Sequence, residues 1–218
     1  MMAGELVAIR SADEIEMARR AGALAAEVLD MIAEHVRPGV TTEELDQLCH
    51  DHIVNVQQAI PANIGYHGYE KTICASVNHV ICHGIPSAKK LKNGDIVNID
   101  VALNKDGWFG DTSRMYFVGQ PSTLAKRLVR TTYEAMRAGI LAVRPGATLG
   151  DIGHAIQSVA HRDGFSVVQE YCGHGIGRIY HDEPQVLHFG NPGEGLTLKP
   201  GMIFTIEPMI NAGKAAIR

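Results

Sequence analysis

The sequence predicts an α+β fold built from two similar halves, and three observations carry that prediction. Short segments recur 107 positions apart. Val36, Arg37, Pro38, Gly39, Val40, Thr41 returns as Val143, Arg144, Pro145, Gly146, Ala147, Thr148. Leu91, Lys92, Asn93, Gly94, leading to Asn98, Ile99, Asp100, returns as Leu198, Lys199, Pro200, Gly201, leading to Thr205, Ile206, Glu207. Two independent matches at one offset imply pseudo-twofold halves, at about 12–118 and 122–218, within a single domain spanning 1–218. The second observation is that each half reads as two helical periods followed by strand-like stretches. The third is that no Gly/Ser linker or low-complexity segment divides the chain, so helices should cover one face of a mostly antiparallel sheet.

In order, Ser11 with Glu14 reads as a capping box opening a helix whose apolar stripe is Ile15, Ala18, Ala21, Leu24, Ala25, Val28, Leu29 and Ile32. Pro38 and Gly39 stop it. Thr41 with Glu44 opens a second helix, to about residue 55, and residues 124–141 and 148–161 repeat the pair in the second half. Strand patterns cover roughly Lys71 to Ser76, Ile96 to Leu103, Trp108 to Val118, Ser166 to Gln169 and Met202 to Met209.

Composition narrows the function classes. At 218 residues and 45% hydrophobic, the chain can bury a core without staples. A formal net charge of −4 gives no footprint for nucleic acid. No apolar run could span a bilayer, and the opening Met1, Met2, Ala3, Gly4, Glu5 lacks the regions of a signal peptide. Cys49, Cys74, Cys82 and Cys172 form no CxxC pair, which fits reduced thiols and a cytoplasmic setting.

The chemistry starts at a hairpin. Asn104, Lys105, Asp106, Gly107 is a turn signal, and a loop centred between Lys105 and Asp106 sets Asp100 directly opposite Asp111. Their side chains would stand roughly 5 Å apart on one face. Such like charges demand a proton or cation between them, unless they are a solvated edge pair or a bulge moves Asp111 to the other face. The second half adds His174, flanked by Gly173 and Gly175, and Glu207, the repeat counterpart of Asp100. Two Asp, one His and one Glu suit a divalent metal of the Mn, Fe, Co or Zn type. His35, His50, His52, His79, His154, His161 and His188 read as surface or satisfied polar residues, and Lys89 with Lys90 as a solvated pair.

Longer motifs carry a resemblance that runs from about Ile9 to the end. They are Tyr66, His67, Gly68, Tyr69; Ser76, Val77, Asn78, then Cys82, His83, Gly84, Ile85, Pro86; Gly94 through Val101; Gly110, Asp111, Thr112, Ser113, Arg114, Met115; Gly173 through Gly177 with His181, Glu183, Pro184; and Phe204, Thr205, Ile206, Glu207, Pro208. In these the chain resembles the type I methionine aminopeptidases, a family with the duplicated pita-bread fold. The resemblance implies removal of the initiator methionine from nascent proteins by a water activated at one or two divalent metals (Co, Mn, Fe or Zn). It implies Asp100, Asp111, His174 and Glu207 as metal ligands, with Asp111 bridging and Glu207 also moving a proton. His83 and His181 would contact substrate, and Tyr66, Tyr69, Cys74 and Tyr180 would line a pocket for methionine. The implied setting is a cytoplasmic monomer acting at the ribosome, with neither nucleic acid nor membrane bound directly.

Family members continue into further strands that bring a second bridging glutamate, whereas no acid follows Glu207 before Arg218. The expectation from the sequence is therefore a chain lacking the C-terminal strands, with at most one tight metal and strongly reduced activity. A weak or non-catalytic pita-bread protein, or an X-Pro-type metallopeptidase of the same fold, are the alternative readings.

Overall fold

Both expected capping boxes form. The Ser11 N–H donates to Glu14 Oε2 at 3.0 Å and the Glu14 N–H to Ser11 Oγ at 3.3 Å. Thr41 and Glu44 make the same exchange at 2.7 and 3.1 Å. A third box, Thr148 with Asp151, repeats the second at 2.8 and 3.3 Å. Each joins an orphan donor at the helix start to a side chain. The helices that follow in this computed structural model are α1 (Ala12–Ile32), α2 (Thr42–Asp51), α3 (Thr123–Ala142) and α4 (Leu149–Arg162), with a π-helical turn His52–Val56 extending α2. The structure describes residues 7–217, so the Met1 to Glu5 stretch and Arg218 discussed above lie outside the described residues.

The chain divides into two compact units. The first comprises Glu16–Thr123 with Gly177–Tyr180, and the second comprises, among the described residues, Leu124–Ile176, residues 181–217 and residues 7–15. The 107-residue repeat is visible in the hydrogen bonds of each. Gly39 N–H donates to Leu91 O at 2.8 Å and Leu91 N–H to Val40 O at 2.8 Å. In the second unit Gly146 N–H donates to Leu198 O at 3.1 Å and Leu198 N–H to Ala147 O at 2.7 Å. The bridge of Thr41 to Lys90 likewise returns as Thr148 to Thr197. The duplicated tetrads therefore do the same local job twice, tying the segment before α2 or α4 to the segment leading to Asp100 or Glu207.

In the first unit β3 (Ile96–Lys105) pairs antiparallel with β4 (Trp108–Phe117) along one edge, and with β2 (Ile73–Val77) and β1 (Ile60–Pro61) along the other. Alternate residues Val97, Ile99, Val101 and Leu103 turn to the core with Trp108 and Tyr116, where Ala21, Ala25, Val28, Leu29 and Ile32 of α1 meet them. The expected start of β2 at Lys71 is two residues early. The Thr72 N–H is taken by the Asp46 carboxylate at 2.8 Å, so that residue caps the strand instead of joining the ladder.

Gly110 sits where β4 crosses α1. A Cβ there would lie 2.3 Å from the Ala21 carbonyl oxygen. Gly110→Ala must push helix and sheet apart, an overpacking that costs about 1–3 kcal/mol or more. The expected result is a lower urea midpoint with an unchanged m-value, and an unmoved midpoint would show that the contact is loose.

In the second unit α3 and α4 cover a smaller set of strands. Here β5 (Ser166–Val167) pairs with β8 (Ile210–Asn211), and β6 (Gly173–Gly175) pairs with β7 (Asp182–Val186) through a register shift between His174 and Gly175. The expected strand from Met202 to Met209 is not continuous. Ile176 N–H donates to Ile203 O and Thr205 N–H to His174 O, and pairing then moves to β5, where Val168 N–H donates to Met209 O. Between these partners the Glu207 N–H is spent on the His188 imidazole, and Pro208 has no N–H to give.

Candidate metal centre

Asp100 and Asp111 are not directly opposed. The β3–β4 turn consists of Asp106 and Gly107, at φ 53° and 82°, and Lys105 faces Trp108. Positive φ at both central residues marks the tight turn whose twist suits a two-residue hairpin. The pairing is thereby moved two residues from the expected register, so Asp111 faces Ala102 and Asp100 faces Ser113. A shift of two preserves the face. Asp100 and Asp111 remain on the same side as diagonal neighbours, at a Cβ separation of roughly 7 Å.

That face carries the pocket residues of the first unit. Cys74 on β2 faces Asp100. Burial, with the Asp100 charge second, pushes its thiol up to about 12, so Cys74 presents neutral sulfur. Burial also pushes Cys49 up to about 12. Neither thiol is a thiolate at pH 8, so iodoacetamide should spare both in the native protein and label both in urea. Rapid native labelling at Cys74, read by peptide mass, would contradict that environment.

The Tyr69 hydroxyl lies between the carbonyl oxygens of Ile73 and Gly84, at 3.0 and 3.1 Å, and burial raises its pKa. Gly84 is packed on β2 so closely that a Cβ would meet the Ala75 oxygen at 2.4 Å. The contact sets the exposed His83, at φ 54°, beside that strand.

Tyr180, 7% exposed, is held three ways: its ring stacks on Phe109 at 5.4 Å and 7°, lies 5.0 Å from the Tyr66 ring, and its hydroxyl donates to Asn63 Oδ1 at 2.8 Å. The Asn63 amide in turn donates to Thr72 O at 2.9 Å. The sequence reading missed Phe109 and Asn63. Phe109 could have been found, because it stands two residues before Asp111 and strand alternation puts both on one face.

The second unit holds the imidazoles and the glutamate. His174 is 9% exposed, and its Nδ1 lies 2.9 Å from the Gly175 carbonyl oxygen, which places a proton on Nδ1. Nε2 lies 3.5 Å from Glu207 Oε1, and the Thr205 hydroxyl donates to that same oxygen at 2.6 Å. Thr205 Oγ1 also accepts the His174 N–H at 3.0 Å. The His181 ring meets His174 edge-on at 4.2 Å. Gly173 and Gly175 are required here, since a Cβ would stand 2.5 Å from Thr205 O or 2.0 Å from Glu183 O.

His188 departs from its expected role as a surface or satisfied residue. It is fully buried, its Nε2 accepts the Glu207 N–H at 3.1 Å, and its Nδ1 has no partner among the described residues. Burial lowers its pKa to about 4. No spacing rule distinguishes it from the other histidines, because its partner is a backbone group 19 residues away.

Comparison with known proteins gives these residues a setting. The model of metallopeptidase family M24 matches residues 16–218. A methionine aminopeptidase of Rickettsia prowazekii is 61% identical over 201 residues, 92% of this chain and 77% of the relative. One from Salmonella typhimurium is 58% identical over 213 residues, 97% of this chain and 81% of the relative. The crystal structure of the Rickettsia prowazekii methionine aminopeptidase superposes with a TM-score of 0.95 at 57% identity, covering 97% of this chain and 85% of that one. The α+β architecture of paired helices over antiparallel strands is thus the pita-bread arrangement expected from the sequence. On the extent of the family match and the likeness of these relatives, the chain belongs to metallopeptidase family M24.

Proposed function

We propose that Asp100, Asp111, His174 and Glu207 hold the divalent metal of this chain, with Asp111 bridging where two ions bind, and that His83 and His181 act on the substrate. The activity itself follows from the relatives: the chain is a metal-dependent aminopeptidase that removes N-terminal methionine. The observation that carries the residue assignment is His174. Its Nδ1 bond to Gly175 O fixes the ligating tautomer, and its Nε2 stands 3.5 Å from a carboxylate that Thr205 also orients. Two aspartates on one sheet face and this imidazole–carboxylate pair are the donor types that Mn, Fe, Co or Zn accept.

When bound, the metal lowers the pKa of a water and polarises the carbonyl under attack. Glu207 receives a proton from the attacking water and returns it to the departing amine. His181 donates a hydrogen bond to the oxygen that gains charge, and His83 steadies the leaving nitrogen. Tyr66, Tyr69, Cys74 and Tyr180 receive the methionine side chain, where aromatic rings and neutral sulfur suit a flexible thioether. The substrate in the cell is the nascent chain emerging from the ribosome in the cytoplasm, met by a monomer.

The test pairs substrate with metal. With Mn²⁺ or Co²⁺ supplied, a Met-Ala peptide should be hydrolysed and an X-Pro dipeptide left intact. EDTA should abolish turnover and added metal restore it. Cleavage of the X-Pro substrate in preference to Met-Ala would overturn the reading.

A further inference from the structure

The carboxylate of Glu207 is oriented by Thr205, but its main chain is held by something else. The residue stands where the extended segment leaves β6 for β5, with Pro208 following, so the Glu207 N–H has no strand to join. It donates instead to His188 Nε2 at 3.1 Å. An imidazole that accepts through Nε2 carries its proton on Nδ1, and that N–H is buried with no partner among the described residues. Burying an unmatched donor is costly.

The backbone around His188 is built to bring it there. Gly150 and Gly153 face the incoming segment from α4. A Cβ at Gly153 would stand 2.3 Å from Phe189 O and 3.0 Å from Leu187 O, and one at Gly150 would stand 2.3 Å from Asn191 O. Two glycines one turn apart therefore let residues 187–191 lie directly on the helix, and the side chain between them reaches inward to Glu207.

We infer that His188 is a positioning residue for the metal centre: it fixes the main chain of Glu207, as Thr205 fixes the carboxylate, so that the ligand is set from both ends. The inference rests on Glu207 being a metal ligand. Its test uses two amides of similar polarity. His188→Gln places a carbonyl oxygen where Nε2 lies, whereas His188→Asn stops near the position of Nδ1 and cannot reach Glu207.

Mn²⁺ binding, read by calorimetry or by loss of the free-ion EPR signal, should weaken about 10- to 100-fold in the Asn variant and stay within about threefold in the Gln variant. Thermal midpoints of the two metal-free variants should fall together, since both lose the packing of the ring. Equal Mn²⁺ weakening in both, or none in the Asn variant, would overturn the inference. Glu207→Gln is the control for the underlying assignment. If it leaves Mn²⁺ affinity unchanged, the ligand reading has failed. If it weakens binding while His188→Asn does not, only the positioning role has.

Discussion

His174→Ala is expected to remove metal-restorable peptidase activity by about 10³-fold or more. A bound divalent ion supplies several kcal/mol of transition-state stabilisation, and each 1.4 kcal/mol is tenfold in rate. The proposed donor set has one imidazole, and its replacement leaves carboxylates alone to hold the ion. The Nδ1 bond to Gly175 O at 2.9 Å orients the ring. Mn²⁺ stoichiometry and turnover of a Met-Ala peptide should fall together. Retained turnover with retained metal would remove His174 from the ligand set, and the proposed centre with it.

The same site shows what a sequence can and cannot give. Helix starts were legible because a capping box is local: Ser11 with Glu14 and Thr41 with Glu44 contain donor and acceptor within four residues. The repeat was legible because it places the same hydrogen bonds at Gly39 and Gly146.

The hairpin register failed by two residues, since the choice of Asp106 and Gly107 as the turn depends on both reaching positive φ, and Asn104, Lys105, Asp106, Gly107 offers more than one centre. The face survived, because the error was even. The strand at Met202 to Met209 failed for a non-local reason: its backbone hydrogen bonds are divided among His174, His188 and Val168, partners that periodicity does not display. His188 was beyond reach for the same cause. Phe109 was not, and strand alternation from Asp111 would have supplied it.

His181→Ala is the second large effect expected, and its signature differs from that of His174. His181 is exposed. Its ring meets His174 edge-on at 4.2 Å. A donor held this way needs little reorganisation when charge develops on a carbonyl oxygen, and removing one such donor costs about 10²–10³ in kcat. Its hydrogen bond strengthens only as the transition state forms, so KM for a Met-Ala peptide should change little while kcat and kcat/KM fall together. Mn²⁺ content should stay at the parent value. If metal is lost in step with rate, His181 is a ligand and not a donor to substrate. If KM rises while kcat holds, its contribution is to binding, and another group must stabilise the oxyanion.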